Sequence, residues 1–328
     1  MRFLLVFLLC FSLSLTLSAQ QTYTIVSYNC ENLFDLRHDS LKQDLEFLPE
    51  GNRKWTFNRY WRKINDIGRV ILQIGGKGEE WMLPDIVGLI EVENDSVMHT
   101  LTRGGVLKGA HYNYVMTEAE DIRGIDVALM YNSLRVKLIG HESIKISEKK
   151  GFRRTRDILY AILRTTEGDT LHVFTMHCPS RSRGQMQTEP YRLHVVERLL
   201  DKIDSIRKNG AENVIVIGDF NDYSYNKSIR RITDTGLNEV SSHAKGLFHP
   251  NEVVGTYCFQ QEWGSIDHIF TSNKIRTSDC YIFDADWMLE KNNADAFKPR
   301  RTYLGDFYHG GVSDHLPLVF KFGIMRNY

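Results

Sequence analysis

Val214-Ile215-Val216-Ile217 is an uninterrupted β-branched run that stops at Gly218. A run this short, apolar throughout and closed by a glycine, predicts a strand covered on both faces, which requires layers above and below it. Beyond the glycine come Asp219-Phe220-Asn221-Asp222. Asp219 and Asn221 stand two positions apart and so leave the chain on one side. A carboxylate beside a carboxamide suits an oxygen-rich site that holds water, a metal or a phosphate. Gly, Asp and Asn are also ordinary turn residues, so the weight rests on whether the arrangement recurs.

It recurs along the whole chain. Residues 23–28 read as a strand ending in Asn29, and residues 85–90 as one that delivers Glu91. An acid at the end of an apolar strand is costly unless it faces water or a cation. Residues 171–176 lead to His177 and a loop with Arg181 and Arg183, a pair suited to an anion. Residues 264–270 carry Asp267 inside an apolar strand, where a buried acid calls for a donor or a histidine. Asp314-His315 stand directly before the apolar run 316–320. Strands are also expected at 125–131 and 158–164; between them lies a basic cluster, Arg153, Arg154 and Arg156, read as solvated surface or as phosphate contacts. Trp61, Ile64, Ile67 and Ile71 mark one amphipathic helix, and Leu193, Val196, Leu200, Ile203 and Ile206 a second. Residues 283–311, with Trp287, Lys298, Arg300, Arg301, Tyr303 and Tyr308, are expected to form a lid.

Antiparallel neighbours would bring these strand ends to one rim of a sheet. Asn, Glu and Asp oxygens suit Mg²⁺ or Mn²⁺ better than zinc, and two histidines with a spare acid suit proton transfer. Equal numbers of basic and acidic residues, 41 each, exclude a protein that grips nucleic acid mainly by bulk charge, although a local patch stays open. Residues 1–19 have the form of a signal peptide cleaved after Ala19, shorter than the roughly 20 apolar residues of a membrane span. Export is therefore expected, with no membrane insertion and one catalytic domain over 20–328. Cys30, Cys178, Cys258 and Cys280 could pair or remain buried thiols.

The ordered set, above all Gly218-Asp219-Phe220-Asn221 and Ser313-Asp314-His315-Leu316-Pro317, resembles the endonuclease/exonuclease/phosphatase superfamily, of which pancreatic-type deoxyribonuclease is a member. The resemblance implies an α+β fold, a four-layer α/β/β/α sandwich of two mostly antiparallel sheets packed face to face. It also implies a divalent-metal-dependent phosphoester hydrolase. Carried over by position, Glu91 is the principal metal ligand, with Asn29 and Asp314 supporting it. Asp219 orients or deprotonates the attacking water, Asn221 holds the phosphate, His177 serves the phosphate or leaving group, and Asp267 orients His315. Arg156, Arg181 and Arg183 are expected to bind substrate. The favoured reading is an exported, monomeric nuclease acting on nucleic acid. A phosphomonoesterase, a lipid-headgroup phosphodiesterase and a binding protein without catalysis are the alternatives.

Overall fold

The structure, a computed structural model, describes residues 21–76, 81–146, 154–292 and 294–326. The expected signal peptide and Arg153 lie outside the described residues.

Two βαβ units set the architecture. In the first, β1 (Tyr23–Leu33) is followed by α1 (Phe57–Gly75) and then by β2 (Ile86–Val92), which pairs with β1 in parallel. A short α2 (Asp95–His99), β3 (Tyr112–Met116), β4 (Asp126–Asn132), β5 (Val136–Ile144) and β6 (Ile158–Thr165) come next. The second unit is β7 (Thr170–His177), α3 (Gln185–Lys208) and β8 (Val214–Asp219), with β7 and β8 again parallel. A parallel pair needs a long crossover, which α1 and α3 supply.

The chain continues through α4 (Lys227–Thr233), β9 (Asn238–Glu239), the small hairpin β10 (Tyr257–Phe259) and β11 (Glu262–Gly264), β12 (Asp267–Thr271) and β13 (Ile275–Ile282). Two more hairpins follow, β14 (Leu289–Lys291) with β15 (Phe297–Pro299), and β16 (Tyr303–Leu304) with β17 (Phe307–Tyr308). The last strand is β18 (Leu318–Ile324).

One six-stranded sheet has the order β13-β18-β1-β2-β4-β3, and the other β5-β6-β7-β8-β12-β9. Apart from the central parallel pairs, every pairing in both sheets is antiparallel. The sheets meet face to face through Val87, Leu89, Val173, Ile215, Ile217 and their neighbours, all fully buried. Gly88 permits the close approach, since a Cβ there would stand 2.4 Å from the Ile217 Cδ1. Helix α1 covers the first sheet, and α3 with α4 the second, where Val196, Leu199 and Ile229 pack on Phe174, Val216 and Phe270. The α+β sandwich expected from the sequence is the fold observed. Among the described residues no helix is long and apolar enough to cross a membrane.

This topology places the site. The C-terminal ends of β1, β2, β7 and β8 lie on one rim, because each parallel pair points the same way. β12 and β18 run against their neighbours, so they bring their N-terminal ends to that rim. In register, Asp267 stands opposite Asp219, and Asp219 beside His177.

Candidate active site

Where the strands end, the backbone leaves regular geometry. Glu31, Asn32, Glu91 and Asn221 have φ of 50, 58, 62 and 52°, left-handed conformations that are costly for side chains other than glycine. The β1–β2 and β2–β4 registers both shift beside Glu91. These kinks turn the side chains into a cavity of about 560 Å³. Asn29, Glu31, Glu91, His177, Asp219, Asn221, Asp314 and His315 all line it.

Asp219 is the centre of the hydrogen bonding. Its Oδ2 accepts from the Asn29 Nδ2 at 3.1 Å, and its Oδ1 from the Asn221 backbone N–H at 2.9 Å. The Nε2 atoms of His177 and His315 stand 3.6 and 3.8 Å from the same Oδ2. Burial raises the Asp219 carboxyl to about 7; neighbouring His315 opposes that shift and Asp267 adds to it. An acid tuned this way can accept a proton near neutral pH.

The two histidines are tuned in opposite directions. His315 Nδ1 bonds the Asp267 carboxylate at 2.8 Å, and although burial opposes it, Asp267 holds the imidazole well above its ordinary pKa. His177 is pushed well below its ordinary value, first by burial and then by nearby Arg156 and Arg123. The surroundings thus favour the protonated form of His315 and the neutral form of His177. Asp267 is fixed in turn by the Thr256 hydroxyl, which donates at 2.6 Å. His268, the next residue, points to the opposite face as strand alternation requires, bonding Glu239 and the Asp222 carbonyl.

Two groupings offer metal ligands. Ligand atoms of Asp219, Asp267 and His315 lie within 4.8 Å of one another. Their Asp267–His315 bond already commits the facing atoms, so that trio reads better as a proton relay. On the other side, the Glu91 Oε2 accepts from the Asn32 N–H at 3.0 Å, and its Oε1 stands 3.6 Å from Arg123. Asp314 Oδ2 accepts from Arg301 at 2.8 Å. Glu31 is raised to about 7 by burial and by the nearby Asp314 charge. Carboxylates crowded until one resists ionisation, all with hard oxygen donors, fit a divalent cation held by Glu91 and Asp314. The Asn29 side-chain Oδ1 accepts from the Glu31 N–H at 2.9 Å and keeps a second lone pair for the same ion.

The expected substrate residues divide. Arg181 lines the cavity, lies 4.6 Å over the Tyr223 ring and donates to Gln185 at 2.6 Å. Arg156 and Arg183 line an adjoining cavity instead. Arg156 is buried, donating to Asp121 and to the Cys178 carbonyl at 3.0 Å each. That carbonyl also accepts from the Asn221 Nδ2, so Arg156 acts on the site through Asn221.

The expected lid is mostly wall. Tyr303 is buried with its hydroxyl on the Arg53 carbonyl, Tyr308 lies under Arg59, and Lys298 pairs with Glu290. Of the described residues in that segment only Arg301 lines the cavity. The aromatic residues that do line it, Tyr223, Tyr257 and Phe259, come from the loop after β8 and from the β10–β11 hairpin. Sequence reasoning passed over these, along with Glu31 and Arg123. Only Glu31 carried a signal, two positions beyond Asn29. Among the described residues Cys30, Cys178, Cys258 and Cys280 are free thiols, the first two buried.

A family model described as the Endonuclease/Exonuclease/phosphatase family matches residues 24–323. No curated protein matches by sequence. Among solved structures, an endonuclease/exonuclease/phosphatase family protein from Bacteroides thetaiotaomicron is similar at a TM-score of 0.63 and 16% identity, covering 94% of this chain and 97% of that one. A mannosyl-6-phosphatase from Bacteroides thetaiotaomicron VPI-5482 follows at 0.62 and 17%, covering 92% and 99%. D. rerio TDP2, complexed with single-strand DNA product, matches at 0.56 and 16%, covering 92% and 99%. At these identities the likeness is one of fold.

Proposed function

Because the chain belongs to the endonuclease/exonuclease/phosphatase family, whose members are phosphoester hydrolases working with a divalent metal, we propose that it is a Mg²⁺- or Mn²⁺-dependent phosphodiesterase acting on nucleic acid. The observation that carries the substrate reading is the mixed lining of the catalytic cavity. Arg123, Arg181 and Arg301 stand among Tyr223, Tyr257 and Phe259, the last 58% exposed. Cations that track a phosphate backbone beside rings on which bases stack are what a single strand requires.

The chemistry divides among the residues described. When bound, the metal offsets charge on the phosphate oxygens. Asp219, fixed by Asn29 and Asn221, takes the proton from the water whose oxygen attacks phosphorus. The His315 imidazolium, held by Asp267, donates toward the phosphate and supplies the proton the leaving oxygen needs as its bond to phosphorus breaks. Neutral His177 donates a hydrogen bond to a phosphate oxygen. Asn221, braced by the Cys178 carbonyl, limits how far the phosphate can shift.

A panel of DNA, RNA, a sphingomyelin vesicle, inositol phosphates and mannose 6-phosphate, assayed with Mg²⁺ at low and high salt, tests the reading. Cleavage of DNA or RNA that weakens with salt is expected. Turnover of a monoester or of sphingomyelin with both polynucleotides intact would overturn it.

A further inference from the structure

Beside the catalytic cavity lies a second one of about 600 Å³, continuous with it through Arg123, Ser180 and Ser182, which line both. Its lining holds Arg123, Arg154, Arg156 and Arg183 against one carboxylate, Asp121. Asp121 is engaged by Arg156 at 3.0 Å, and Arg154 pairs with Glu120 at the rim. Arg183 is exposed and makes no hydrogen bond or ion pair among the described residues. With Arg123 also 3.6 Å from Glu91, the charge that the fold leaves over in this cavity is that of Arg183.

A second feature points the same way. Helix α3 starts between the two cavities, with Gln185 lining the catalytic one and Gln187 and Thr188 the other. Its N-cap is Gly184, at φ 99°, and no side chain caps the first turn. A long helix that begins uncapped presents free N–H groups and the positive end of its dipole, a setting for an anion. Serine and threonine hydroxyls and the Tyr191 ring complete the wall.

We propose that this second cavity binds a phosphate neighbouring the one that is cut, so that the enzyme prefers a strand carrying a further phosphate on one side of the scissile bond. This rests on the nucleic-acid reading above and extends it. Arg183 and the start of α3 hold the neighbouring phosphate, and Arg123, shared by both cavities, lies between the two anions.

The test uses the intact protein with Mg²⁺ and three dinucleotides: one without terminal phosphates, one with a 5′-phosphate and one with a 3′-phosphate. One of the two phosphates is expected to raise kcat/KM about tenfold, the size of one charge-assisted contact. Arg183→Gln and Arg154→Gln should each shrink that preference toward one. The ratio is taken within each variant, so partial loss of folded protein leaves it unchanged. Equal rates on all three substrates, or a preference that survives Arg183→Gln, would overturn the second site and leave the nucleic-acid reading standing. Cleavage of none of the three would remove that reading and the second site with it.

Discussion

Asp219 and His315 face each other across the site with shifted affinities for protons, and the cause of each shift is local. Burial raises the acid, and the Asp267 carboxylate 2.8 Å away raises the imidazole against the opposing effect of burial. Read from its residues, the sequence asked only for a donor or a histidine beside Asp267; the pairing with His315 came from the family resemblance, and the structure shows it at the first residue of β12. The sequence did not single out Glu31, which a left-handed turn at φ 50° aims into the cavity, or Arg123, whose partners Glu91 and Asn32 are distant in sequence. Asp219→Asn and His315→Gln are each expected to lower kcat about 10²–10⁴-fold while leaving circular dichroism and melting unchanged in form. A folded variant with a near-normal rate would remove that residue from the chemistry.

At the scale of elements, the central strands were legible because buried β-branched runs have few other solutions, and their order along the chain carried the family resemblance; β3, β5 and β13, which alternate with or expose polar residues, carried no such run. The stripe of α3 was read one position off in places. Arg192 is fully buried there, drawn in by Asp222 at 2.7 Å, so Val195 and Leu199 share the core with Val196 and Leu200. The segment 283–311 read as a lid because it is polar and aromatic; its partners are distant in sequence, and its rings pack on Arg53 and Arg59 instead. Gly218 shows how tightly an element fixes the site. At φ 152° a Cβ would lie 2.0 Å from the Met176 carbonyl oxygen, so Gly218→Ala must push β7 and β8 apart just where Asp219 begins. A loss of about 2–4 kcal/mol is expected from the urea midpoint at unchanged m. A midpoint equal to that of the wild type would show the strand pair to be more yielding than its geometry implies.

Across the whole molecule, two sheets converge their strand ends on one rim and crowd acids there. Glu31 and Asp219 are both raised to about 7 by burial, above the ordinary carboxylate value. A raised carboxyl binds its proton more tightly folded than unfolded, so its contribution to stability is full at low pH and is lost as pH rises from the unfolded value toward about 7. The metal-free protein is therefore expected to melt lower at pH 8 than at pH 5.5, and Mg²⁺ to raise Tm more at the higher pH; an equal increment at both would contradict this. The most direct measurement is hydrolysis of bis-p-nitrophenyl phosphate by protein stripped with EDTA and then titrated with Mg²⁺ or Mn²⁺. Turnover should be absent in chelator and return saturably with either ion. Full turnover in chelator would contradict the metal-assisted hydrolase described here.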